Sequence, residues 1–127
     1  MPSGLGVLGE LEAARYLRKK GYRIETSNFR CREGEIDLIA SKGKILAFVE
    51  VKARGERMLL QPREAVDRKK QQRIIKTAMR YLQITQCGLQ PRFDILEAFF
   101  TNGSDPKLVS IHYIENAFDA EGFYATV

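Results

Sequence analysis

The 127-residue sequence contains one histidine, His112, two cysteines and no tryptophan, and these scarcities exclude several classes of enzyme. Two cysteines and one histidine cannot form a zinc site without help from carboxylates, which excludes zincins and HNH nucleases. The sequence has no G-x-S-x-G elbow, no Walker A loop and no G-x-G-x-x-G that follows a strand, and a Ser-His-Asp triad would depend on His112 alone. If the chain is an enzyme, carboxylates and lysines must therefore carry its chemistry.

Long apolar runs are also missing. The longest, residues 45–49, is far shorter than the roughly 20 residues that cross a bilayer. No basic residue precedes Arg15, and Glu10 interrupts the first apolar stretch, so we expect no secretory signal. Cys31 and Cys87 lie far apart, which predicts reduced thiols rather than a disulfide framework. We therefore expect a cytoplasmic protein with a single domain over residues 1–127.

Positive charge is concentrated in one segment. The net charge is +5, and residues 63–80 carry this whole excess, since acidic and basic residues are equal in number elsewhere. The basic residues of the segment are Arg63, Arg68, Lys69, Lys70, Arg73, Lys76 and Arg80. Such a stripe is typical of a surface that binds a polyanion, and equally of an ordinary solvated helix face.

Hydrophobic periodicity predicts an α/β domain in the order α-β-β-β-α-β-β. We expect helices over 4–20 and from Pro62 to about residue 83, and strands over 22–28, 35–40, 45–52, 92–100 and 109–115. Residues 28–34 and 53–61 are predicted to be polar loops. Ile36, Leu38 and Ala40 should form one apolar face of their strand. The tail, 116–127, has aromatic residues without a clear period and is expected to pack on the core or on a partner.

The inward stripe of the second helix, which should pack on the sheet, is expected to consist of Ala65, Val66, Ile74, Ile75, Ala78 and Leu82.

Two neighbouring strands carry the charged residues of greatest chemical interest. If Lys42 and Gly43 form the hairpin turn between them, Glu35 lies opposite Glu50, and Asp37 and Lys52 project from the same face. Clustered carboxylates repel one another unless a cation holds them, and hard oxygen ligands favour Mg²⁺, Mn²⁺ or Ca²⁺. A lysine beside such a cation suits phosphodiester hydrolysis. The same spacing also fits a structural Glu50–Lys52 ion pair.

This pattern resembles the PD-(D/E)XK nuclease superfamily and, more closely, the small bacterial YraN family of endonuclease-like proteins. The resemblance extends to about residue 100, although Ile36 stands where the superfamily name has proline. Its markers are Gly9-Glu10, Asn28, Gly34-Glu35-Ile36-Asp37-Leu38-Ile39, Phe48-Val49-Glu50-Val51-Lys52-Ala53-Arg54 and Arg92-Phe93-Asp94.

The resemblance implies a restriction-endonuclease-like fold with a mixed central sheet flanked by helices. It implies that Asp37 and Glu50 bind Mg²⁺ or Mn²⁺ together with the backbone carbonyl of Val51. It places Lys52 beside the attacking water, and Glu10 would reach the site from the first helix through water.

Other residues have two open interpretations each. Glu35 is either an additional ligand or an exposed residue at a strand start, and Arg54 is either a phosphate contact or part of a solvated loop. Asp94 is expected to be structural, paired with Arg92. The candidate nucleic-acid-binding residues are Arg54, Arg68, Lys69, Lys70, Gln71 and Arg73.

Three functions remain open at this point. The first is a metal-dependent endonuclease that acts on DNA, with branched or damaged DNA in repair or recombination as candidate substrates. Similarity to archaeal Holliday-junction resolvases suggests branched DNA and a homodimer, which is an analogy between folds only. The alternatives are a non-catalytic nucleic-acid-binding module and a domain whose basic helix contacts an acidic protein.

Overall fold

The computed structural model describes residues 4–61 and 66–120, and its elements follow the predicted order α-β-β-β-α-β-β. The elements are α1 (Gly4–Lys19), β1 (Arg23–Cys31), β2 (Gly34–Lys42), β3 (Ile45–Gly55), α2 (Arg68–Thr85), β4 (Gln90–Phe100) and β5 (Leu108–Phe118). A short 3₁₀ helix (Glu56–Leu60) follows β3. The α/β class is confirmed. Neither helix in the described ranges is long and apolar enough to cross a membrane.

The five strands form one mixed sheet in the order β1-β2-β3-β4-β5. Strands β3 and β4 are parallel, and the other neighbours are antiparallel. A parallel pair needs a long crossover connection, and α2 supplies it. The central strand β3 is covered on both faces along residues 46–49, which explains its continuous apolar sequence.

The two helices cover opposite faces of the sheet. Against α1 lies a buried cluster of Ala13, Leu17, Tyr22, Leu38, Ala40, Ala47, Val49, Leu96, Ala98 and Phe100. Against α2 lies a second cluster of Ile36, Ile39, Leu46, Phe48, Val66, Ile74, Ile75, Ala78 and Phe93. The predicted stripe of α2 is confirmed for Ile74, Ile75 and Ala78, with Leu82 packed beside them. Ala65 lies outside the described residues.

The hairpin between β2 and β3 differs from the expected register by two residues. Lys42 pairs with Ile45, so the turn consists of Gly43 and Lys44, and Gly43 adopts a φ of +59° that glycine tolerates best. A register shift of two does not by itself move a side chain to the other face of the sheet, because strand side chains alternate with a period of two. Continuing the observed register by one step places Asp37, rather than Glu35, opposite Glu50.

The predicted single apolar face of β2 is wrong. Leu38 and Ala40 pack toward α1, whereas Ile36 packs toward α2. Regular alternation would place all three on one face, so it is broken between Ile36 and Leu38. The pairing of β2 with β3 also ends at Leu38 and Val49. Asp37 therefore lies where β2 leaves β3.

Several predicted boundaries are corrected. Strand β1 continues to Cys31 through residues expected to be a loop, with Asn28 at a φ of +54°. Strand β3 continues to Gly55, and the 3₁₀ helix occupies most of the expected loop.

The start of the second helix also differs. Helix α2 begins at Arg68 rather than Pro62, because Asp67 is its N-cap and accepts the Lys70 backbone N–H at 2.8 Å. Pro62 itself, like residues 63–65, lies outside the described residues.

The start of the expected tail belongs to β5, and Phe118 stacks on Phe93 with ring centroids 5.3 Å apart. This contact confirms packing on the core for that part, while residues 121–127 lie outside the described ranges. Cys31 and Cys87 are free thiols, as predicted.

Candidate active site

The centre of the candidate site is the pair of carboxylates Asp37 and Glu50. Because the ladder between β2 and β3 ends next to Asp37, the backbone N–H of Val51 has no ladder acceptor and donates instead to Asp37 Oδ2 at 2.8 Å. Burial raises the pKa of Asp37 to about 7, and the charge of Glu50 and a hydrogen bond with Glu50 add to this effect. The two side chains are therefore within hydrogen-bonding distance of each other.

A cleft of about 270 Å³ opens beside this pair, between β2 and α2. Its walls are Gly34, Glu35, Asp37, Glu50, Lys70, Arg73 and Ile74. Gly34 allows the start of β2 to lie close to the helix, since a Cβ there would be 3.0 Å from Thr77 Oγ1 and 3.8 Å from the Arg73 Cβ. The cleft thus places carboxylates on the sheet side and two cations on the helix side.

Lys52 lies two residues after Glu50 on β3, so its side chain starts from the same face of the sheet. Burial lowers its pKa, and the positive charges of Lys70 and Arg54 lower it further. The negative charges of Glu50 and Asp37 oppose this shift, which shows that Lys52 lies within electrostatic reach of both carboxylates. Lys52 does not line the cleft itself. It lies beside the carboxylate pair, two residues further along β3 than Glu50.

Glu10 approaches from the other face of the sheet. The preceding Gly9 makes this approach close, because a Cβ on Gly9 would lie only 2.8 Å from the Cβ of Ala53 on β3. The charge of Glu10 contributes to the raised pKa of Asp37. The helix contact therefore brings a third carboxylate within electrostatic range of the pair.

The two remaining acidic and basic candidates next to the site have partners of their own. Glu35 lines the cleft, and its Oε1 lies 3.3 Å from Nε of Arg30 while its side chain is 41% exposed. Arg54 belongs to β3 rather than to a loop, and its Nε lies 3.2 Å from Oε2 of the buried Glu97. The alternative of a solvated loop for Arg54 is therefore wrong.

The basic residues of α2 separate into different environments. Lys70 is half-buried, with Nζ 3.6 Å from Glu50 Oε1, and Arg73 lies one turn later on the same cleft wall. Arg68 and Lys69 are exposed and do not line the cleft. Gln71 donates from Nε2 to the Val66 carbonyl at 2.9 Å, so its amide is engaged with the helix start. Only part of the basic helix therefore faces the carboxylates.

Sequence analysis missed Glu97. It is 5% exposed, pairs with Arg54, and stands in register between Lys52 on β3 and His112 on β5. The signal available in the sequence was an acidic residue inside the otherwise apolar run 95–100. An ionised side chain in such a run is rarely buried without a partner, which would have suggested a nearby cation.

The sequence of this chain is similar to those of a known protein family. The profile of the uncharacterised protein family UPF0102 matches residues 9–97. A UPF0102 protein of Alkaliphilus metalliredigens is 47% identical over 121 residues, covering 93% of this chain and 100% of the relative. A UPF0102 protein of Caldanaerobacter subterraneus subsp. tengcongensis is 46% identical over 115 residues, covering 90% of this chain and 93% of the relative. The chain belongs to the UPF0102 family. The names of these relatives state no activity.

The UPF0102 match spans all the candidate site residues, from Glu10 to Arg73, and ends before β5. Asp94, also within it, is structural as predicted. It is 1% exposed and accepts hydrogen bonds from Arg92, from the Tyr113 hydroxyl and from the Asn116 backbone N–H. Because every described buried polar side chain finds a partner, this network stabilises the core.

Tyrosines that could have stacked on bases pack within this UPF0102 fold. Tyr16 and Tyr22 make edge-to-face contacts with Tyr113, at 5.8 and 6.3 Å between centroids. Tyr81 contacts Phe29 and Phe48 in the same way. Contacts with aromatic neighbours therefore engage all three tyrosines within the fold.

The donor set fits Mg²⁺ better than a metal that needs a full protein cage. Among residues 4–61 and 66–120, no three side chains of His, Cys, Asp or Glu gather closely enough to hold a metal. Mg²⁺ commonly binds through one or two carboxylates and completes its octahedron with water and substrate phosphate. Asp37 and Glu50 would supply those carboxylates, and a cation would relieve both the burial and the neighbouring Glu50 charge that raise the pKa of Asp37.

Proposed function

We propose that this protein is a metal-dependent endonuclease of the PD-(D/E)XK type that hydrolyses phosphodiester bonds in DNA. The observation that carries the proposal is the meeting of Asp37 and Glu50 in one cleft, where β2 leaves β3, with Lys52 beside them. Such a mutually repelling pair beside a lysine serves little purpose in a stable core but suits a site that receives a cation and a phosphate.

Each residue has a distinct role in this proposal. Asp37 and Glu50, with the carbonyl of Val51, would hold Mg²⁺ or Mn²⁺, which when bound supplies positive charge to the phosphate and lowers the pKa of a water. Lys52 holds and orients the attacking water, because its lowered pKa makes it a better acceptor of a proton than an ordinary lysine. Glu10 orients water on the far side of Asp37.

The basic helix supports a nucleic acid as the substrate. Arg68, Lys69, Arg73 and Lys76 are exposed along α2, next to the cleft or on the surface beyond it. Lysines and arginines that contact phosphates give affinity without sequence preference and make binding strongly salt-dependent. We therefore expect binding to DNA that weakens steeply between low and physiological salt.

The test is cleavage of duplex, single-stranded, flap and four-way-junction DNA and one RNA, each with Mg²⁺, Mn²⁺ or EDTA. Asp37→Asn and Lys52→Met should lose cleavage by at least about 10²-fold while retaining binding in EDTA. Asp105→Asn is the matched control, because Asp105 is an exposed acid paired with Lys107 in the turn before β5. The preferred panel member would identify the substrate structure, and sedimentation of the same preparation would test the homodimer.

Cutting that persists equally in Asp37→Asn would refute the assignment. A second function, a non-catalytic nucleic-acid-binding module, is favoured by the exposed cations of α2, since they depend on neither carboxylate. Salt-sensitive binding with no cleavage of any panel member would support that module. Absence of both binding and cleavage would favour a protein partner for the basic helix.

A further inference from the structure

Lys70 differs from the other basic residues of α2 in its contacts. Its Nζ lies 3.6 Å from Glu50 Oε1, and the two side chains are 39% and 14% exposed. Lys69, the preceding residue, is exposed and lines no part of the cleft. The position of Lys70 is fixed by the helix start, because its backbone N–H caps onto Asp67 at 2.8 Å. Lys70 therefore has an electrostatic partner inside the candidate site.

We propose that Lys70 is an internal cation that neutralises Glu50 in the metal-free protein and moves to a substrate phosphate when a divalent metal binds. The inference rests on the proposed function, since it assumes that Asp37 and Glu50 are the metal ligands. It assigns Lys70 a different role from the general phosphate-binding role of its neighbours on α2.

The geometry places Lys70 and a bound metal in competition for Glu50. Mg²⁺ bound by Glu50 would lie roughly 2.0–2.1 Å from a carboxylate oxygen, whereas Lys70 Nζ is already 3.6 Å from that side chain. A divalent ion and an ammonium group on one carboxylate repel each other in a partly desolvated cleft. The lysine side chain has a flexible four-carbon stem, so its Nζ can move while the helix stays in place.

The cleft also provides the destination. Lys70 and Arg73 form its helix wall, and Glu35, Asp37 and Glu50 line the opposite side. A phosphate that reaches a metal on these carboxylates must pass between the two walls. The ammonium released from Glu50 can then pair with that phosphate, which joins metal binding to substrate binding without a change of fold.

The first test measures Mn²⁺ affinity without DNA, by the electron paramagnetic resonance signal of free Mn²⁺. Removing the competing cation in Lys70→Met should tighten the dissociation constant by about two- to fivefold, the effect expected of one partly exposed ion pair. Lys70→Arg keeps the charge and should stay close to wild type. Lys69→Met, one residue away, is the matched control and should leave the affinity unchanged.

The second test measures DNA binding in a Lys52→Met background, in which cleavage is suppressed. In EDTA, Lys69→Met should lower the slope of log affinity against log salt by about one, because an exposed phosphate contact is lost. Lys70→Met should leave that slope unchanged in EDTA, since its charge is engaged with Glu50, and should weaken DNA binding severalfold once Mg²⁺ is present.

The outcomes separate this inference from the proposed function. Unchanged or weaker Mn²⁺ affinity in Lys70→Met, or equal loss of DNA affinity with and without Mg²⁺, would overturn the role of Lys70. If Asp37→Asn binds Mn²⁺ as tightly as wild type, the metal site itself is wrong and the proposed function fails first. Unfolding temperatures of all variants would show that each reading comes from a folded protein.

Discussion

The raised pKa of Asp37 predicts an unusual dependence of stability on pH. A carboxyl group with a pKa near 7 in the folded protein and about 3.8 in the unfolded chain binds its proton more tightly when folded. Its contribution to stability is therefore fully present below pH 3.8 and is lost as the pH rises through about 7. The full shift corresponds to roughly 4 kcal/mol, of which about 3 kcal/mol is lost between pH 5 and pH 8.

Asp37→Asn removes this loss, because an amide keeps the shape and cannot ionise. The free energy of unfolding of the variant and of wild type is measured by urea denaturation with EDTA at both pH values. The value for the variant minus the value for wild type should be roughly 3 kcal/mol larger at pH 8 than at pH 5. The difference between the two proteins cancels the titration of other groups. Asp105→Asn, at an exposed acid, should show no such change with pH.

Adding Mg²⁺ to the same denaturation experiment gives a second measurement, the stabilisation of each protein by metal. At about 100 times its dissociation constant, Mg²⁺ should stabilise the wild-type protein at pH 8 by about 2.7 kcal/mol and leave Asp37→Asn unaffected. If the stability of the variant relative to wild type in EDTA is no higher at pH 8 than at pH 5, the reasoning is refuted, because ionisation of Asp37 would then carry no penalty. Stabilisation by Mg²⁺ that is equal in both proteins would place the metal elsewhere.

Two further substitutions test the framework that holds the site. Gly9→Ala adds a Cβ that would lie 2.8 Å from the Cβ of Ala53, so α1 must shift and stability should fall by about 1–3 kcal/mol in thermal denaturation. Gly4→Ala, with nothing within 4 Å, should be neutral or stabilising, and an equal effect of both would contradict the close approach. Asp94→Asn removes the buried anion that pairs with the partly buried Arg92 guanidinium, whose remaining carboxylate partner in the described ranges is Glu115 at 3.8 Å, and should cost about 3 kcal/mol in urea denaturation. A loss below about 1 kcal/mol would contradict the structural role of that network.

Sequence patterns predicted the order of elements because both helices have clear apolar stripes and β3 has a continuous apolar run. They also predicted that Asp37 and Glu50 share a face, although the turn was misplaced by one residue, which shifts the pairing register by two. That error had no effect on the face, since only an odd shift reverses the side chains. The prediction that two side chains share a face therefore holds when the turn of a two-residue hairpin is misplaced by one residue, because the pairing register then shifts by two.

The start of α2 and the Lys70–Glu50 contact could not be predicted from the sequence, because the contact joins distant segments of the chain. The start of α2 was misplaced because Pro62 suits a first helical turn, whereas Asp67 actually caps the helix through the Lys70 N–H. The position of Lys70 against Glu50 depends on where that cap lies, since one residue of slip rotates a helix by about 100°. The contact was therefore beyond prediction from the sequence, although both residues were already candidates.

Local pattern failed most clearly at Asp37, and the failure coincides with the proposed chemistry. A regular β2 would have continued its ladder with β3 and buried Ile36 beside Leu38. Instead, the Val51 N–H donates a hydrogen bond to the carboxylate of Asp37, which fixes that side chain against Glu50. The broken ladder sets two carboxylates side by side in the cleft that opens toward α2. Under the proposed function, a bound cation and phosphate would relieve the repulsion between these carboxylates, which gives a physical reason for the loss of local regularity at this point of the sheet.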